Sequence, residues 1–158
     1  MEENYINILI QSLEQKRGVL SSILEENEKQ NKVLKADELD GDAFEETIER
    51  KAKLIEQIEL LDSGFEKVYG HVKELLEEER DRYTLEIARM QQLIGEITGQ
   101  TVKIQKQEQE NRNLAEAQFA NARRKVKTAK NTKRVASTYR TNMAKLNVIE
   151  PQFMDKKK

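Results

Sequence analysis

The stretch from Phe44 to Leu76, FEETIERKAKLIEQIELLDSGFEKVYGHVKELL, limits what this chain can fold into more than any other. Stepping through it alternately by four and three gives Phe44, Ile48, Lys51, Ile55, Ile58, Asp62, Phe65, Tyr69, Val72 and Leu76, of which eight of ten are apolar. That spacing keeps side chains on one stripe of a helix, and the positions between are mostly Glu, Lys, Arg and Gln, as a solvated face requires. About 33 residues at about 1.5 Å each make a rod of roughly 50 Å. A rod of that length with one apolar stripe cannot bury the stripe alone, so other helices must lie along it.

Composition supports a thin core shared between a few long helices. Charged residues make up 36% of the 158 and hydrophobic ones 37%, with one Pro, no Trp and no Cys. A chain without Cys has no disulfide or thiolate chemistry, and a single His leaves almost no soft-ligand metal site. The acidic start MEENY is unlike a signal peptide, no stretch approaches the roughly 18 apolar residues of a membrane span, and the C-terminus has no prenylation box. These features predict a soluble, cytoplasmic protein with no membrane insertion.

Before the central stretch, a first helix is predicted over about Asn4 to Lys35. Its stripe is Ile6, Leu9, Leu13, Lys16, Leu20, Ile23, Asn27, Gln30 and Leu34, six apolar of nine. Polar residues on a buried seam can fix register at a cost in stability. The simpler expectation is that the stripe drifts and Lys16 snorkels to water. A break follows at ADELDGDAFEE, where Gly41 permits a turn and Asp42 with Glu45 has the form of a capping box, so the second helix is expected to begin near Ala43. The acids here lack the further oxygen ligands of a Ca²⁺ loop and read as caps.

The segment LEEERDRY has no Gly or Pro to end a helix, though Asp81 is placed to cap a new one. From Tyr83 the stripe Tyr83, Ile87, Met90, Ile94, Ile97, Thr101 and Ile104 is apolar at six of seven, yet the frame of the second helix carried on also meets several of these. Two architectures fit: three antiparallel helices with a turn near 77–82, or a hairpin with one very long arm. The first is preferred, because two helices of similar length leave a groove that a third stripe fills. The fold class expected is all-α, an elongated antiparallel bundle or coiled coil of about three long helices with an extended basic C-terminal helix.

Past Ile104 the character changes. Residues 101–158 carry a net charge of +10 and residues 1–100 a net of −11, so the overall −1 conceals a dipole along the chain. Between Phe119 and Lys145 stand nine basic residues and no acidic one. Helix formers persist, but apolar residues thin out to Leu114, Phe119, Val126, Val135, Tyr139, Met143 and Leu146, which reads as a helix with little to bury within its own chain. The organisation expected is one domain overall: a helical scaffold over 1–104, a basic helical segment over 105–146, and a flexible tail over 147–158, within which Pro151 ends regular structure.

No constellation looks catalytic. The only imidazole, His71, sits between charged neighbours on a helix, where an exposed or half-buried structural role accounts for it. The many carboxylates lie on solvated faces without a pocket, and the scattered glycines form no phosphate-binding loop. Gly95 and Gly99 form a GxxxG in a helix too polar to span a membrane. The chain therefore reads as neither an enzyme nor a metal or cofactor protein. Nine positive charges would attract phosphates, but there is no zinc finger, aromatic platform or basic-region-then-heptad order, so nucleic acid is the lesser reading.

YINILIQSLEQKRGVLSSILEENEKQNKVL, a short acidic turn, then ERKAKLIEQIELLDSGFE, and the closing PQFMDKKK resemble the flagellar export chaperones of the FlgN and FliT type, most closely the clostridial-like forms. The resemblance implies a small cytoplasmic helical chaperone of type III export. Such a chaperone binds an amphipathic helix of the hook-associated (hook–filament junction) proteins, prevents premature assembly, and delivers them to the export gate; FliT-type relatives serve the filament cap. By position in that architecture, Leu114, Phe119 and Val126 are the client-binding candidates, and Tyr139 with Met143 the candidates for docking to the gate. The alternative from the residues alone is a structural coiled-coil tether that self-associates, as a homodimer, through the long stripes.

Overall fold

The computed structural model describes residues 2–124 and 135–142. It shows three long helices, α1 (Glu2–Leu34), α2 (Gly41–Glu78) and α3 (Thr84–Arg124), and a fourth, α4, described over 135–142. The architecture is all-α, with no strand among the described residues. The turn between α2 and α3 occupies 79–83, so the compact arrangement is realised and the single long arm is not. Among the described residues no helix is long and apolar enough to cross a membrane.

The nine positions of the α1 stripe are all buried, and on α2 only Asp62 and Tyr69 of the ten are partly open. The periodicity thus marks the buried face residue by residue. Its polar members are part of that face. Lys16 does not snorkel: it is 2% exposed, and its ammonium lies 2.7 Å from Asp62 Oδ1 on α2. The two polar interruptions of the two stripes meet each other. Burial outweighs Lys16 and holds the Asp62 carboxyl above the ordinary carboxylate range, so the pair specifies alignment more than it adds stability.

Side-chain pairs fix the directions of the helices. On α2, Asp62 meets Lys16, Arg50 meets Glu26 and Thr47 meets Gln30, so α2 runs antiparallel to α1. On α3, Glu96 meets Arg17, Gln107 meets Asn27 and Gln118 reaches Leu34, so α3 runs parallel to α1. Backbone approaches are extensive between α1 and each of the others, while α2 and α3 hardly approach each other. Hence α1 is the central element, and α2 and α3 are splayed around it.

Local signals set the ends. Asp40, in extended conformation, is the N-cap of α2, and its carboxylate accepts from the Ala43 amide at 3.1 Å. The cap is therefore Asp40 and not Asp42, because the helix starts at Gly41, two residues earlier than the sequence pattern indicates. The last carbonyl of α1 and one in the turn after it are met from a distance: the Gln118 amide donates to Leu34 O at 2.9 Å and to Ala36 O at 2.8 Å.

The core divides into two clusters. The larger joins Ile6, Leu9, Leu13, Leu20 and Ile23 of α1 to Ile55, Ile58 and Phe65 of α2 and Met90, Leu93 and Ile97 of α3. The smaller contains Leu34, Phe44, Ile48, Ala115, Phe119, Val135, Ala136 and Tyr139. Between them lies a band of buried polar side chains. Truncation in the larger cluster is expected to be costly: Ile55→Ala removes a fully buried side chain and should lower stability by about 2–5 kcal/mol. Leu60, 74% exposed on the same helix, should tolerate Ala within about 0.5 kcal/mol. Urea denaturation of the two variants checks the contrast.

Candidate functional site

The splay of α2 and α3 leaves a gap at the end of the bundle where α2 begins and α3 ends. Only long side chains cross it: the rings of Phe44 and Phe119 lie 5.9 Å apart, and Lys51 Nζ lies 2.5 Å from Glu108 Oε1. Helix α4 sits over this gap. Its buried positions Val135, Ala136, Tyr139 and Asn142 form one helical face, while Ser137, Thr138, Arg140 and Thr141 are exposed. Asn142 Nδ2 donates to Ile48 O of α2 at 3.0 Å, and the Tyr139 hydroxyl donates to Glu108 O of α3 at 3.3 Å. The one helix α4 thus touches both walls.

The floor of the gap is polar. Lys51 also donates to Gln30 Oε1 at 3.3 Å, and its ammonium stands 5.4 Å from the centre of the Tyr139 ring. Gln30 in turn donates to Thr47 Oγ1 at 3.0 Å and accepts from Asn111 Nδ2, which also reaches Asn27 O. These residues come from all four helices, and the sequence marked Lys51, Asn27 and Gln30 only as interruptions of apolar stripes. Glu108 and Asn111 were passed over altogether; their signal was their place, at i+4 and i+7 from Ile104, on the continuing buried face of α3.

Lys51 and Glu108 are 1% and 4% exposed. Burial pushes the Lys51 pKa down from its usual value, with the Glu108 carboxylate working against that shift. Among the described residues Glu108 Oε2 has no hydrogen-bond partner. Burial, and then the neighbouring Glu108, raise the Tyr139 phenol well above its usual value of 10, with Arg112 opposing.

The candidates for function fall differently in space. Phe119 is buried beside Phe44, and Leu114 is partly buried against the same cluster. Val126 and Met143 lie outside the described residues. Tyr139 is 2% exposed, with its ring 5.5 Å from that of Phe44. α3 continues unbroken past Ile104 to Arg124, and Glu108, Asn111, Ala115 and Phe119 are buried along it. The expectation that residues past 104 bury little within the chain is therefore corrected: small and polar side chains carry the face that large apolar ones carry elsewhere. His71 is exposed and stacks on Tyr5 at 5.5 Å. No group of acidic, His or Cys residues that could hold a metal occurs among the described residues.

Two outcomes follow from the buried charges. Lys51→Ala leaves Glu108 buried without its partner and should cost about 3–5 kcal/mol, whereas Lys51→Met combined with Glu108→Leu should be neutral or stabilising. Denaturation of the single and double variants reads the difference. The Tyr139 contribution depends on a neutral phenol: because its folded pKa is raised, that contribution is complete below about pH 10 and is lost as pH rises further. Wild type should lose stability above pH 10 relative to Tyr139→Phe, which thermal melts across pH 8–11 measure.

Comparison with known proteins bears on the whole of this arrangement. The family model described as "FlgN protein" matches residues 1–145, a span that includes α1 to α4. No curated protein and no solved structure matches the chain. With a match over nine-tenths of its length, and with the helical architecture above, the chain belongs to the FlgN family of flagellar export chaperones.

Proposed function

We propose that this protein is a cytoplasmic chaperone of type III export that binds an amphipathic helix of a hook-associated protein, keeps that subunit from assembling early, and delivers it to the export gate. The observation that supports the reading most is the gap between α2 and α3. It is covered by the helical residues 135–142, whose apolar and polar positions face both walls. A chaperone for amphipathic helices needs a groove that accepts one helical face, with side chains of the occupant as anchors. The gap has this form, with Phe44, Ile48, Ala115 and Phe119 as its apolar lining.

In this reading the client helix takes the place of α4, so Phe119 contacts the client once α4 has left and Leu114 flanks it. Val126 and Met143, assigned to the client and to the gate by family resemblance, keep those proposed roles. Tyr139 becomes available for gate docking only when α4 is released from the groove, which couples docking to loading. A filament-cap protein is the alternative client.

The rival reading, a tether that self-associates through the long stripes, loses support. The Phe44–Leu76 stripe is consumed inside one chain, where Ile55, Ile58, Phe65, Val72 and Leu76 belong to the main core.

The test is calorimetric titration of the full chain with synthetic C-terminal helices of hook-associated proteins. Wild type should bind, and Phe119→Asp, verified as folded by circular dichroism, should bind at least tenfold more weakly. Equal affinity of a folded Phe119→Asp variant would remove the groove from the reading. Failure of every such helix to bind wild type and a variant truncated after Arg124 would remove the client class.

A further inference from the structure

Lys51 carries three donor protons and is almost wholly enclosed. Within the bundle its charge is paired with the Glu108 carboxylate, and one proton is donated to Gln30 Oε1. The remaining neighbour is the face of Tyr139, which belongs to the occupant of the groove. An ammonium held over an aromatic ring is attracted by the ring's negative face, and the attraction grows when water is excluded. The groove floor is therefore incomplete without something its occupant provides.

We infer that the α2–α3 groove selects helices bearing a small residue, an aromatic residue and a carboxamide at positions i, i+3 and i+6, with Lys51 as the residue that reads the aromatic. The inference rests on the proposal that a partner helix enters the seat of α4, and it states the chemistry of that partner. Ala136, Tyr139 and Asn142 are the built example. At the first position stands Ala136, buried within the cluster that contains Phe44, Ala115 and Phe119, where a small side chain is the one accommodated. At the third a carboxamide donates to the Ile48 carbonyl, as Asn142 does at 3.0 Å.

The middle position decides specificity. An aliphatic side chain there leaves the Lys51 ammonium facing hydrocarbon where it now faces an aromatic ring, and a buried charge that loses an attractive neighbour is costly. A Lys or Arg repels Lys51, and an Asp or Glu repels Glu108. An aromatic ring satisfies Lys51 without adding charge. A phenol also donates to the Glu108 backbone carbonyl, as Tyr139 does at 3.3 Å. Tyr is thus the best occupant, Phe next, and Leu poor despite similar hydrophobicity. A groove that was only apolar would rank Leu and Phe together.

The test uses the full chain carrying Ala136→Glu and Tyr139→Ala, which unseat its own α4, and a fluorescent peptide of residues 133–145, KRVASTYRTNMAK, as the probe. The unaltered peptide should bind, the peptide with Tyr139→Phe should bind within about fivefold of it, and that with Tyr139→Leu at least tenfold more weakly. Adding Lys51→Met and Glu108→Leu to the chain, with folding checked by thermal melting, should shrink the gap between Tyr and Leu peptides to under threefold. Equal binding of the Tyr and Leu peptides overturns the inference. So does a preference for Tyr that survives the loss of Lys51, or binding of no peptide, or a sedimenting dimer that excludes them all by placing a second copy in the groove. If the discrimination holds while no hook-associated helix binds, the rule for the groove stands and the flagellar client does not.

Discussion

A central helix with neighbours on two sides needs a buried face wider than a coiled-coil seam, and α1 provides the extra width in part with polar side chains. Lys16, Asn27 and Gln30 lie on that face together with Leu9, Leu13, Leu20 and Ile23. Each polar member must find its partner on the correct neighbour: Asp62 for Lys16, Gln107 for Asn27, Thr47 and Lys51 for Gln30. A slide of α2 by one turn would separate Lys16 from Asp62 and Gln30 from Thr47 at once. Apolar packing alone tolerates such slides far better, so these few contacts fix the axial alignment that the other contacts then share.

Alignment in turn creates the groove. Once α2 and α3 are both fixed against α1, their backbones stay apart, and long side chains such as Lys51 and Glu108 span the space. A pair of buried charges is a weak source of net stability, since desolvation offsets most of their attraction. Its use here is as a strut with a directional surface. Apolar residues in the same places would close the gap or leave it featureless. The Lys51 ammonium instead presents charge toward Tyr139, and this ties the composition of the core to the identity of whatever lies in the seat.

Periodicity revealed the buried faces of α1 and α2 almost completely, because an amphipathic stripe is a local property of the chain. The meaning of its interruptions was not local. Lys16 meets a residue 46 positions away and Asn27 one 80 positions away, and nothing in the spacing of a single stripe says which distant residue will stand opposite. The reading of Lys16 as solvated failed for this reason. The far part of α3 failed differently: with Glu108, Asn111 and Ala115 as its buried members, the face has no hydrophobic contrast with the solvated one. The choice between Asp40 and Asp42 turned on the start of a helix, where adjacent acids on either side of Gly41 offer nearly the same pattern. Family resemblance singles out Phe119 and Tyr139, while the contact of Tyr139 with Lys51 joins residues from distant parts of the chain and has no local signal.

The parallel pairing of α1 with α3 also governs the order in which the chain can become protected. α1 leaves the ribosome first, and α2 can fold back on it as a hairpin soon after. The side of α1 that faces α3 has no cover until residues about 80 positions later have been made, and Leu34 O receives Gln118 only when α3 is nearly complete. At a synthesis rate of about 5–20 residues per second, that interval lasts on the order of 4–16 seconds. Through that time a row of Leu and Ile side chains is open on a half-built protein. A member of a chaperone family thus passes, during its own birth, through a stage in which its own apolar helix face is open.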